Sequence, residues 1–309
     1  MNKSNIAPEL LPLRFMRPVL WRPLLPIINM ILRALPHPSG REVKVKKHTI
    51  TSRSVEIFTA ITIEPAGLAR PSPCLVFYHG GAFMLRAAPH HYALAKQFAL
   101  KTPCRVILPD YRLAPRHPFP AAVEDCYAAY EWALTNARAL GIDPGRIALG
   151  GDSAGGNLAA AVSMMAHDRK IPQPCFQMLL YPVIDRRMES GSMRAHQRTP
   201  MWNARLNRRM WETYLPKSTD CPVHYASLME APSLKGLPDT YLETAETDPL
   251  RDEGIAFAQA LGAQGAAVQL CQVSGAPHGF DLMKNSSLAK RCVEDRVTAL
   301  RQAFVSEKY

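Results

Sequence analysis

Residues Gly151-Asp152-Ser153-Ala154-Gly155 match the pattern Gly-x-Ser-x-Gly, with Gly150 before them and Gly156 after. A serine on a sharp turn from strand to helix lifts its hydroxyl out of the sheet edge. Small neighbours are needed there, because side chains on either side would collide with the strained backbone. The flanking text has that form: "RIALGGDS" reads as a short buried strand and "GGNLAAAVSMMAHDR" as a helix. The chemistry indicated is nucleophilic attack by the Ser153 hydroxyl, with the N-terminus of the following helix favouring a nearby anion.

A serine hydroxyl needs a base at neutral pH, and the base needs an acid to orient it. At an elbow of this kind the acid and then the histidine follow the serine in the chain. Of the ten histidines, four lie beyond Ser153. His167 falls at the far end of the next helix, His196 lies in a basic insertion and His224 just after it, so these read as surface residues. His278, in "APHGF" after the last strand, sits on a short loop from which it can reach back. For the acid, "ETAETDPLRDEG" puts Asp248 just past the end of a strand, where functional residues of such sheets collect. Glu246 is the alternative, while Asp252 and Glu253 suit the first turn of the next helix.

Attack on a carbonyl also needs donors for the developing oxyanion, each worth about 2.7–4 kcal/mol in comparable hydrolases. "YHGGAF" follows the first buried strand, and the candidate donors are the N–H groups of Gly80, Gly81, Ala82 and Ala154. His79 could be taken for a base, but it stands on the oxyanion side and reads as a brace for the loop.

These residues must be held by a scaffold. "EVKVKKHTI" and "SVEIFTAITIEP" alternate with period 2 and predict two antiparallel strands turning near Thr51–Arg53. Six short apolar runs follow: "PCLVFYHGG", "CRVILPDYR", "RIALGGDS", "FQMLLYP", "DTYLETAE" and "AVQLCQV". Their low charge is that of strands buried on both faces. Helical patterns lie between them at 90–101, 121–140, 155–169 and 251–265, with a last one at 289–307. Strand and helix in alternation predict an α/β fold: a mostly parallel central sheet with helices on both faces.

With 47% hydrophobic residues in a chain of 309, a large core is within reach and disorder does not dominate. The net charge of +11 is concentrated in residues 1–47 and 186–217, which hold nine and eight Lys/Arg against two acids each. The rest of the chain is slightly acidic. Such segments read as solvated faces, or as attraction to anionic substrates or to a membrane surface in weak contact. There are no aromatic platforms and no module for nucleic acid. Residues 10–35 are apolar but cut by arginines and prolines. Their longest charge-free run, Pro23–Leu32, is about half of a ~20-residue span, so short packed amphipathic helices are expected. Seven scattered cysteines without a Cys-x-x-Cys indicate buried thiols, not a metal site, and a reducing, cytoplasmic setting.

"YHGGAF", "DYRLAPRHPFPAAVED", "GGDSAGGN", "YPVID", "DPLRDEG" and "HGF" occur in the order and rough spacing of the hormone-sensitive lipase family, the bacterial family IV esterases. The chain resembles that family from about residue 45 to 305. The resemblance implies a single α/β-hydrolase domain over 1–309, with a helical cap from about 1–45 and 186–217. It implies a serine carboxylesterase for short- to medium-chain esters, working through an acyl-enzyme with no metal or cofactor. A lactonase or amidase would use the same site, and a membrane-surface lipase or a homodimer is compatible with it. The related plant gibberellin receptors, which only bind their ligand, lack the histidine that this chain keeps as His278. Two positions depart from the family pattern. Ala82 replaces the last glycine of His-Gly-Gly-Gly, keeping the N–H but adding a methyl; in the family such loops go with bulky, tertiary-alcohol esters. Arg116 stands where relatives usually carry glutamate.

Overall fold

A computed structural model describes residues 6–16, 18, 20–35, 40–51 and 57–305. Eight strands form one sheet: β1 (Val43–Ile50), β2 (Phe58–Pro65), β3 (Ser72–Tyr78), β4 (Arg105–Pro109), β5 (Ile142–Asp152), β6 (Phe176–Leu180), β7 (Thr240–Ala245) and β8 (Val268–Val273). Their order is β1-β2-β4-β3-β5-β6-β7-β8. The first two strands pair antiparallel with each other, and β2 pairs antiparallel with β4. From β4 through β3 to β8 every pairing is parallel. All six apolar runs are strands. The second strand starts at Phe58, later than the alternation from Ser54 predicts, and most of the expected turn lies outside the described residues.

Side chains of successive strand residues point to opposite faces. Cys74, Val76 and Tyr78 of β3 therefore join one core and Leu75 and Phe77 the other. The helices α2 (Pro89–Lys101) and α9 (Ser287–Val305) cover the second face, through Leu94, Phe98, Val293 and Leu300. The first face is covered by α3 (Ala121–Thr135), α4 (Ala137–Leu140), α5 (Ala154–Asp168) and α8 (Arg251–Ala263). The single helix expected over 121–140 is broken at Asn136, whose side-chain amide donates to Trp132 O at 3.0 Å. Asparagine competes for backbone groups in this way and so favours helix ends. Gly141, left-handed at φ 64°, closes α4 where the sequence predicts a stop. The basic edge strand β1 exposes Lys44, Lys46 and Lys47, which guards an unpaired edge.

Two further groups of elements lie outside this α/β alternation. The N-terminal segment holds 3-10 turns at Pro8–Phe15 and Arg22–Leu24, then α1 (Leu25–Ala34). The insertion after β6 holds α6 (Gly191–Ala195) and α7 (Ala204–Tyr214). Backbone and side chains join them: Met201 N donates to Met16 O at 3.2 Å, and Arg22 Nη2 to Thr213 Oγ1 at 3.1 Å.

Candidate active site

Ser153 occupies the single residue between the end of β5 and the start of α5, at φ 55° and ψ −117°. This is a sparsely populated backbone region for a side-chain-bearing residue, held by its surroundings. Ser153 N donates to Leu180 O at 2.8 Å, while its carbonyl accepts from Asn157 N and Val183 N. A Cβ on Gly151 would stand 2.5 Å from Tyr78 O, and one on Gly155 2.6 Å from the Tyr78 carbonyl carbon. The glycines are there because β3 and the first turn of α5 cross at backbone contact.

His278 lies beyond β8 on a loop whose Gly275 and Gly279 both take positive φ. Its Nε2 is 2.9 Å from Ser153 Oγ and its Nδ1 is 2.6 Å from Asp248 Oδ2. Asp248 follows β7, is fully buried, and accepts from Leu250 N on its other oxygen at 3.0 Å. A carboxylate facing Nδ1 holds the proton there, which leaves Nε2 to accept from the serine hydroxyl. The structure thus brings Ser153, Asp248 and His278 into one hydrogen-bonded line. Glu246 is placed differently: it accepts from Gly275 N at 2.6 Å and props the histidine loop. His167 pairs with neighbouring Asp168, and His224 packs on the Tyr225 ring. Half-buried His196, held below its ordinary pKa by burial and then by Arg251, hydrogen-bonds through its backbone to Ser192 and Ala204.

The loop after β3 corrects one expectation. Gly80 N–H donates to Asp152 Oδ1 at 2.9 Å, so it is already engaged and is no longer a free oxyanion donor. A Cβ at Gly80 would also press against Asp152. Among the described residues, the N–H groups of Gly81 and Ala82 donate to no protein acceptor, and Ala154 N–H opens α5, where helical acceptors are lacking. Those three remain as candidates. Gly81, Ala82 and Phe83 all have positive φ, at 123°, 57° and 58°, so the alanine at the family's last glycine position is left-handed.

The His79 ring makes no hydrogen bond to Ser153. Its Nδ1 donates to Gly80 O at 2.8 Å, Tyr111 stacks on its ring at 4.3 Å, and the Tyr111 hydroxyl donates to His79 O at 2.6 Å. Burial drives its pKa down to about 3, helped by His91, so it is neutral at working pH. Behind it, His91 Nε2 lies 3.3 Å from Asp152 Oδ2. Burial resists ionisation of Asp152, yet His91, His90 and Gly80 N–H hold its carboxyl far below the usual range.

Several neighbours are not singled out by the sequence, although Tyr181 opens the "YPVID" motif. The rings of Tyr181 and Trp202 pack on His278 at 5.0 and 5.8 Å. The Tyr181 hydroxyl donates to Asp281 Oδ1 at 2.8 Å, and Asp281 accepts from Arg296 at 2.7 Å. Asn29 of α1 bridges the oxyanion loop, donating to Met84 O and accepting from Arg86 N. Arg116 is exposed. Asp152 lies inside the serine motif, but its partners come from two other segments, so spacing alone could not reveal its role.

A family model described as the alpha/beta hydrolase fold matches residues 75–282. The carboxylic ester hydrolase LipN of Mycobacterium tuberculosis is 42% identical over 227 residues, which is 70% of this chain and 60% of LipN. The chain thus spans under two thirds of that relative's length. The carboxylesterase NlhH of the same organism is 33% identical over 77% of this chain and 76% of its own. Among solved structures, a bacterial heroin esterase superposes with a TM-score of 0.89 at 34% identity, covering 98% of this chain and 99% of the esterase. On its fold, its motifs and these likenesses, the chain belongs to the α/β-hydrolase fold family, in the branch that resembles hormone-sensitive lipase.

Proposed function

We propose that this carboxylic ester hydrolase cleaves short- to medium-chain esters through an acyl-enzyme on Ser153. The observation that carries the reading is the unbroken line from Ser153 Oγ through His278 to buried Asp248. Ser153 Oγ attacks the ester carbonyl carbon while its proton passes to His278 Nε2. Asp248 stabilises the imidazolium through Nδ1–H. The carbonyl oxygen, now an oxyanion, is met by the N–H groups of Gly81, Ala82 and Ala154. The tetrahedral adduct collapses, His278 returns the proton to the alkoxide, and the alcohol leaves. Water, deprotonated by His278, attacks the acyl-serine; the second adduct releases the carboxylic acid and restores the serine.

Residues 1–45 and 186–217 form the cap over this site in our reading, supported by the hydrogen bonds that join them and by Trp202 against His278. The cysteine pattern supports a cytoplasmic setting, and a lactone or amide would meet the same groups. Hydrolysis of p-nitrophenyl esters from acetyl to palmitoyl, with Ser153→Ala as control, tests the reading. Turnover confined to the shorter chains and reduced roughly 10⁵–10⁶-fold in the variant is expected. Equal turnover by the variant overturns the role of Ser153.

A further inference from the structure

Ten large apolar side chains stand exposed among the described residues, and seven of them fall between Leu11 and Ile31. Phe15 is 74% exposed, Met30 65% and Trp21 59%. Helix α1 is apolar on both faces. Leu25 is buried and Ile28 and Leu32 half-buried on the inner face, where Asn29 also anchors the helix to Met84 and Arg86. Ile27, Met30 and Ile31, at i, i+3 and i+4, make an outer apolar face. A helix on the surface of a globular protein ordinarily carries polar residues there.

Unpaired positive charge lies in the same pair of segments. A cleft of about 640 Å³ between the N-terminal segment and the insertion is lined by Arg14, Arg198, Arg205 and Arg209. Arg208 stands exposed beside them on α7. None of the five pairs with a carboxylate among the described residues, whereas Arg186 and Arg187 of the same insertion are bound to Glu230 and Asp185. Met201 connects this cleft to the site: it lines the cleft, bonds to Met16, and its Cε would lie 3.6 Å from a Cβ on Gly279, next to His278.

We propose that this face seats the protein on an anionic lipid bilayer. The arginines meet headgroup phosphates, while Phe15, Trp21 and the outer side of α1 enter the interfacial layer. The combination selects the occupant. A free anion would satisfy the arginines and leave the apolar side chains in water. A second copy packed face to face would set the same unpaired arginines against each other. An anionic bilayer offers both a charged plane and an apolar boundary. Docking is read without catalysis, so its test is independent of the esterase reading.

Flotation of the full chain with vesicles of phosphatidylcholine plus phosphatidylglycerol, and with pure phosphatidylcholine vesicles, decides the matter. Binding to the mixed vesicles alone, reversed by salt, is expected. R205Q/R208Q/R209Q should weaken it about a hundredfold, the loss expected when three arginines leave an anionic surface. M30S/I31S should weaken it about tenfold through lost apolar burial. All five substituted side chains are exposed, so both variants should keep the parent's circular dichroism. Absence of binding to the mixed vesicles, or equal binding to pure phosphatidylcholine, overturns the proposal. So does a dimer in sedimentation velocity that M30S/I31S dissociates, or saturable calorimetric binding of inorganic phosphate without vesicle binding.

Discussion

Asp152, the residue before the proposed nucleophile, accepts a hydrogen bond from Gly80 N–H, at the start of the oxyanion loop, at 2.9 Å. The other oxygen of the same carboxylate faces His91 of α2. One buried side chain therefore ties the serine elbow, the oxyanion loop and a helix on the second face of the sheet. Its cost in desolvation is offset because both oxygens find hydrogen-bond partners, the Gly80 N–H and the His91 ring.

Asp152→Ala leaves Gly80 N–H and the His91 ring buried without that acceptor. Leaving a buried N–H donor and a buried ring nitrogen without a partner in this way costs about 1–3 kcal/mol of stability for each group. The loop that offers the oxyanion donors also loses its tether, so kcat should fall by about a hundredfold, with a smaller change in KM. Denaturant unfolding and steady-state kinetics on p-nitrophenyl acetate check both parts. A variant with parental kcat and lowered stability would show that the tether serves folding alone.

Ala82 holds a left-handed backbone at φ 57°, which costs a residue with a Cβ about 1–2 kcal/mol relative to an ordinary conformation. Glycine removes that cost but loses more entropy on folding. Ala82→Gly should therefore stabilise the protein by about 0.5–1 kcal/mol and raise its denaturation midpoint. The methyl also shapes the loop beside the oxyanion donors. The ratio of turnover on tertiary-butyl to ethyl esters should shift in the variant, and an unchanged ratio removes the methyl from specificity.

His79 and His90 have pKa values lowered to about 3 and about 4, each chiefly by burial and then by His91. In the unfolded chain both return to about 6.5. Below that value the unfolded state binds protons that the folded state refuses, so stability is lost as pH falls. The loss should run to about 1.4 kcal/mol per pH unit for each histidine between about pH 6 and pH 4. Asp152, held low, adds a further loss only below the ordinary aspartate range. Urea unfolding across this interval measures the slope, and a flat profile between about pH 6.5 and pH 5 contradicts the burial of these rings.

The sequence by itself determined the scaffold and the candidates for its chemistry. Strands buried on both faces must be nearly uncharged, so the short apolar runs announced the parallel sheet, although the last of them, β8, lies at its edge and buries only Val273, and Gly151 and Gly155 announced the tight elbow at Ser153. Asp248 and His278 were legible because each follows a strand end on a short loop, where chain order and topology leave few alternatives. Tertiary structure decided what each backbone N–H and carboxylate meets. Gly80 reads like any other loop donor until β3 and the elbow bring Asp152 beneath it. Glu246 and Asp248, two residues apart, part ways only because the loop after β8 sets Gly275 over one and His278 over the other. Positive charge in residues 1–47 and 186–217 was plain from composition. That the two segments touch, line a cleft with Arg14, Arg198, Arg205 and Arg209 and turn an apolar helix face outward follows from packing between residues nearly two hundred positions apart, which local patterns do not encode.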